Sequence, residues 1–149
     1  FEIAIESTEA GFSQIVRDMP SDSGGTYDLD EVWETLSTEK SVFDGLWKLQ
    51  SRKTKGSLCS GFTEMKLIGG GHFIFFQRFD CEGETIKHFG FGAMQIEKSG
   101  VVNETAMTST LEGYSGKDRL VNIKLTGADH MTQTFMHNGV EVIQSYVRI

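Results

Sequence analysis

From residue 45 to the end of the chain, apolar and polar positions alternate with a period of two, broken at short gaps that carry glycine. Eight segments follow this pattern: 45–51, 62–68, 72–79, 86–96, 101–110, 118–125, 130–137 and 140–149. The gaps hold turn chemistry in Gly69-Gly70-Gly71, Asp80-Cys81-Glu82-Gly83, Lys98-Ser99-Gly100, Gly113 to Gly116, Gly127-Ala128-Asp129 and Asn138-Gly139. Asn-Gly is the strongest hairpin signal among them, because both residues tolerate the positive φ angles of a type I′ turn. Short strands joined by tight turns predict an all-β, up-and-down antiparallel meander. Eight strands within 43–149 match the smallest barrel that can enclose one small ligand. A two-sheet sandwich is the competing architecture.

The alternation assigns faces. Gly45, Trp47 and Leu49 share one side of the first strand, opposite Lys48 and Gln50. Val121, Ile123 and Leu125 oppose Asn122 and Lys124. The third strand is apolar on both sides, with Phe73, Phe75 and Phe79 against Ile74 and Phe76. This predicts that the N-terminal arm, a partner subunit or both cover its outer face.

Residues 1–42 form an N-terminal extension expected to pack on the barrel or on a partner, with 43–149 as the barrel domain. Phe1, Ile3 and Ile5 alternate as in a strand. Leu29, Val32, Trp33 and Leu36 recur at helical spacing behind Asp28, a capping residue with Glu31 three positions on. One short helix closing a barrel end is the preferred reading. The alternative is strands, since Gly25 to Asp30 echoes Gly92 to Glu97 and Glu31-Val32-Trp33 echoes Glu141-Val142-Ile143.

A length of 149 residues suffices for one core of useful size. Net charge is -7, from 14 basic and 21 acidic residues, which disfavours nucleic acid and anionic lipid surfaces as partners. No apolar run approaches the roughly 20 residues of a spanning helix, so no membrane insertion is expected. A start at Phe1 rather than Met is read as a leader removed or left out, and a periplasmic or secreted setting fits that start, with a cytoplasmic one as the alternative. Cys59 and Cys81 fit neither a C-x-x-C pair nor a metal framework and are expected as two unlinked thiols. A disulfide is the alternative if their strands are neighbours, and it implies an oxidising compartment. Asn103-Glu104-Thr105 is a formal glycosylation sequon.

Six of the 11 phenylalanines fall between Phe73 and Phe91. They predict an interior lined by Phe73, Phe75, Phe89 and Phe91, with Met65 and Phe135 nearby and Arg78 or His88 orienting a ligand. Burying a ligand's hydrocarbon there gains roughly 0.8 kcal/mol per CH₂. The competing reading is that these rings fill the core. Four histidines, His72, His88, His130 and His137, lack the spacing of a metal site. A haem held by His88 is conceivable inside such a barrel, but neither a metal nor a cofactor is expected. Ser60-Gly61 lacks a nucleophile elbow, and Gly69-Gly70-Gly71 has no phosphate-binding helix behind it. Glu64, Glu104 and Arg78 are candidates for a polar cluster inside the barrel, of the kind barrel isomerases and cyclases use.

A glycine two residues before a tryptophan on the first strand, with an arginine near the chain end, suits barrel closure. The indole of Trp47 plugs one end, Gly45 lets the backbone bend around it, and Arg148 lies over the ring. Phe43-x-Gly45-x-Trp47-Lys48-Leu49, with Arg148, resembles the opening and closing strands of the calycin superfamily, which contains lipocalins and fatty-acid-binding proteins. The region 43–149 is most similar to small bacterial lipocalin-like domains, which are often exported. The resemblance implies an eight-stranded lipocalin-like barrel with an internal ligand. Two departures count against a fatty-acid carrier: the stretch from Gln50 to Gly61 is too short for a helical lid, and Tyr146-x-Arg148 reverses the order of the carboxylate clamp.

The combined expectation is a non-enzymatic barrel that binds a small hydrophobic or amphipathic molecule. The alternative is a filled barrel acting as a structural module through a homodimer or partner interface. An enzyme with a polar interior ranks third.

Overall fold

The computed structural model describes residues 2–98 and 100–149; Phe1, placed in the expected first strand, and Ser99, placed in the Lys98-Ser99-Gly100 turn, lie outside them. The chain divides into two units, one ending at Thr38 and the other spanning Glu39–Ile149.

The first unit is a three-stranded antiparallel sheet, β1 (Glu2–Ser7), β2 (Gly11–Pro20) and β3 (Thr26–Glu34). The helix expected behind Asp28 is a strand instead. Its apolar residues find partners across a ladder: Leu29 pairs with Val16 and Trp33 with Phe12, and the rings of that second pair stack at 6.0 Å. Asp28 serves β2 rather than a helix end, accepting from the Arg17 guanidinium at 2.9 Å and the Asp18 amide at 3.1 Å. Arg17 also reaches Asp30 at 3.3 Å, two residues on and therefore on the same side of the strand. Helical spacing was coincidental in a segment where Val, Trp, Tyr and Thr favour a pleated surface.

The second unit is a closed antiparallel barrel of eight strands: β4 (Gly45–Thr54), β5 (Ser60–Gly69), β6 (His72–Cys81), β7 (Glu84–Lys98), β8 (Val101–Ser109), β9 (Asp118–Thr126), β10 (His130–His137) and β11 (Val140–Arg148). Each strand pairs with its sequence neighbours, and β11 returns to β4 to close the circle. Closure rules out the sandwich. Asn138 and Gly139 both have positive φ, 50° and 76°, in the β10–β11 hairpin.

One end of the barrel is apolar and solid. Trp47 is fully buried and donates its indole N–H to the Phe43 carbonyl at 2.8 Å. The Arg148 guanidinium lies 4.5 Å from the Trp47 ring centroid and donates to the Val42 carbonyl at 2.9 Å. Gly45, at φ 144°, makes this possible, since a Cβ there would meet Arg148 Cδ at 3.3 Å. Ile68, Phe73, Met94, Val102, Val121 and Met131 complete the plug.

Cys59 and Cys81 form a disulfide, which corrects the expectation of unlinked thiols. The register explains it: Ser60 pairs with Asp80 on β5 and β6, and this brings the preceding and following residues side by side. Among the described residues no helix is long and apolar enough to cross a membrane.

Candidate functional site

Beyond the apolar plug, the inner face of the barrel changes character. Glu64 and Lys66 sit on β5 between inward Phe62 and Ile68; Gln77 follows Phe75 on β6; Gln133 follows Met131 on β10; Gln144 follows Val142 on β11. All five side chains are buried, as is Glu104 on β8. Period-two alternation puts them on the inside wherever their apolar neighbours are.

These groups pair with one another, as buried polar groups must. Lys66 and Glu104 form an ion pair, and Lys66 also donates to Gln133 Oε1 at 3.3 Å. Glu64 accepts three hydrogen bonds: from the Tyr146 hydroxyl at 2.7 Å, Gln77 Nε2 at 2.8 Å and Gln144 Nε2 at 3.1 Å. Burial pushes the Glu64 carboxyl above the usual carboxylate range, although Lys66 and the donors from Tyr146 and Gln144 oppose that shift. Burial, together with Glu64, also holds the Tyr146 phenol well above its ordinary value.

This network lines a cavity of about 330 Å³ that opens at the end opposite Trp47. Its walls are aromatic, with Phe62, Phe75, Phe79, Tyr114 and Phe135. Phe62 and Phe79 stack at 4.7 Å, and Phe75 meets Tyr114 edge-on at 6.1 Å. Arg52, Arg119 and His137 stand among them. The Arg52 guanidinium lies 4.5 Å from the Phe62 centroid, and that of Arg119 lies 4.3 Å from Tyr114 and 4.6 Å from Phe135. Burial, and then the charges of Arg119 and Arg52, lower the His137 pKa. The Tyr114 phenol is pushed up by burial and then by Glu104.

The residues expected to form the site divide between the two faces. Phe73, Phe75 and Phe135 point inward, with Phe73 in the apolar plug and the other two on the cavity wall. His88 has inward parity, but it sits 5.7 Å from the Phe79 ring beside Thr110 and does not line the cavity. Met65, Arg78, Phe89 and Phe91 face outward. Their register corrects the expected lining: Phe73 pairs with Gly92 and Phe75 with Gly90, so the β7 phenylalanines fall opposite outward Ile74 and Phe76. Arg78 pairs with exposed Lys87 and reaches Asp80 at 3.7 Å outside the barrel. Of the suggested polar cluster, Glu64 and Glu104 lie inside and Arg78 does not.

Sequence reasoning passed over Arg52, Lys66, Gln77, Tyr114, Arg119, Gln133 and Gln144. A signal existed, because each strand that supplies a buried glutamine sets it between inward apolar residues two positions away. Among the described residues no three His, Cys, Asp or Glu side chains converge as a metal site. No protein-family model matches the chain, and no curated protein matches it.

Proposed function

We propose that the barrel is a non-enzymatic binding module that takes a small hydrophobic or amphipathic molecule into its interior. One observation carries this reading: a cavity of about 330 Å³, walled by aromatic rings and open at one end, is kept hollow while the other end is packed solid. That volume lies at the lower end of the range for small-molecule sites, about 300–1,000 Å³. The carboxyls, Lys66 and the glutamines are already paired with one another, so they offer orientation without a large unsatisfied demand. The eight-stranded closure and the Trp47–Arg148 contact support the lipocalin-like, calycin resemblance. The Cys59–Cys81 bond supports a periplasmic or secreted setting, where disulfides persist.

The test is direct. Native mass spectrometry of the purified protein, followed by denaturing extraction, is expected to release a small molecule. The neutral dye N-phenyl-1-naphthylamine is expected to brighten on titration and to be displaced by the extract. No extractable molecule and no dye binding would sink the proposal.

A second reading rests on the outer face. Leu46, Leu67, Ile74, Phe76 and Phe89 form cross-strand rows over β4 to β7 and are 36–51% exposed, which suits a homodimer or partner interface. Sedimentation equilibrium of the wild type and of Phe76→Glu is expected to give a dimer and a monomer; a monomeric wild type removes this reading.

A further inference from the structure

The cavity carries a charge that the chain as a whole does not. Four cationic side chains line it, Arg52, Lys55, Lys66 and Arg119, against two carboxyls, Glu64 and Glu104, in a protein whose net charge is -7. The lining therefore carries a formal excess of two positive charges.

Most of the internal charge is already committed. Lys66 and Glu104 hold each other, and Glu64 accepts from three protein donors. Glu104 is the register partner of Arg119 across β8 and β9, yet it turns to Lys66 instead. Among the described residues, neither Arg52 nor Arg119 has a carboxylate within ion-pair distance. Arg52 Nε is also buried with no hydrogen-bond partner. An arginine drawn partly out of water with no carboxylate in contact is costly, and burial lowers the Arg52 pKa although the charge of Glu64 opposes that shift.

Both guanidiniums are nevertheless held in place. Each lies over an aromatic face, Arg52 on Phe62 and Arg119 on Tyr114 and Phe135. Stacking uses the face of a guanidinium and leaves its in-plane N–H fork free, the geometry that meets carboxylate or phosphate oxygens. The same phenylalanines that carry the arginines line the apolar wall, so an anion at the fork would have its organic body against rings.

Building on the cavity reading, we propose that the ligand is a small organic anion. Its negative group lies at Arg52 and Arg119, and its apolar or aromatic body lies against Phe62, Phe75, Phe79 and Phe135. A neutral or cationic guest would leave both arginines without a contacting anion. An anion meets the free terminal N–H groups of the two guanidiniums and brings the cavity toward neutrality.

A matched pair of probes tests this: 2-naphthoate and its uncharged counterpart 2-naphthylmethanol, titrated into the intact protein by calorimetry at one ionic strength. The carboxylate is expected to bind about tenfold or more tightly than the alcohol, the gain of one charge-assisted hydrogen-bonded contact. In Arg52→Gln and Arg119→Gln the carboxylate-to-alcohol affinity ratio is expected to fall by about tenfold each. If the alcohol binds and naphthoate gains nothing over it, the anion assignment fails and the cavity reading stands. The assignment also fails if neither substitution moves the ratio. If neither probe binds to the wild type, the cavity reading falls and the anion site falls with it.

Discussion

The ring of Phe75 occupies the space that a Cβ on Gly90 would fill. The two residues are register partners on β6 and β7, and the same relation joins Phe73 to Gly92 one step toward the plugged end. Two adjacent Phe–Gly pairs let large rings lie flat against the opposite strand instead of crossing the barrel. That arrangement helps leave room for a cavity in a barrel this narrow.

Alanine at either glycine should therefore overpack the wall, at a cost of about 1–3 kcal/mol. Gly92→Ala should cost more than Gly90→Ala. A Cβ at 92 would meet the Thr105 carbonyl oxygen, which is backbone and cannot swing away, whereas the nearest atoms at 90 belong to side chains. Urea midpoints of the two variants check the order, and equal or reversed losses would contradict the stacking.

Trp47→Ala should cost about 3–5 kcal/mol, because it empties the centre of the apolar plug and frees the Phe43 carbonyl. Arg148 would lose the ring it lies on while keeping its bond to Val42. A loss below roughly 1 kcal/mol in chemical denaturation would mean that the indole does not hold the barrel end.

The strands, the turns and the Trp47 plug were legible because each rests on local signals: period-two alternation, Asn-Gly and glycine-rich gaps, and Gly-x-Trp. The site was only half legible, and the reason is the register of β7. Phe89 and Phe91 are as apolar as Phe73 and Phe75, so composition alone puts all four inside. The discriminating residues are Gly90 and Gly92, whose lack of a side chain marks the inward face by what it admits. Glu64 and Glu104 drew notice as carboxyls. Their partners Lys66, Gln77 and Gln144 did not: Lys66 meets Glu104 and Gln144 meets Glu64 across strands far apart in sequence, and Gln77 meets Glu64 only through the β5–β6 register. The 28–36 segment failed differently: of four apolar residues at helical spacing, Leu29, Val32 and Trp33 also fit a strand once Val16, Ser13 and Phe12 lie opposite, and Leu36 falls beyond its end.

The Lys66–Glu104 pair is the next measurable feature. Removing one member leaves a buried charge alone, so Lys66→Met should cost about 3–5 kcal/mol. Replacing both, as Lys66→Met with Glu104→Leu, should recover most of that loss, because desolvation of two ions nearly cancels their attraction. Gln133 then loses one donor, which keeps the recovery incomplete. A double-mutant cycle in urea supplies the coupling energy, and strictly additive losses would show that the two side chains do not depend on each other.

The Glu64 carboxyl gives the barrel a pH dependence of definite sign. Its folded pKa is raised above 4.5, chiefly by burial, while Lys66, Tyr146, Gln144 and Arg52 pull it down. The folded chain therefore keeps a proton that the unfolded chain releases near 4.5. Stability from this group is complete below that pH and is lost as pH rises through the folded value. His137 runs the other way: burial and then the two arginines hold its folded pKa below 6.5, so its contribution is present above that pH and declines as pH falls. Comparing the wild type with Glu64→Gln removes the histidine from the balance, because His137 titrates in both. The unfolding free energy of the wild type minus that of the variant should fall steadily from pH 4.5 upward, measured by urea denaturation at fixed salt. A difference that stays flat to pH 8 would mean that the three donors around Glu64 offset its burial completely and that the carboxyl is an ordinary buried anion.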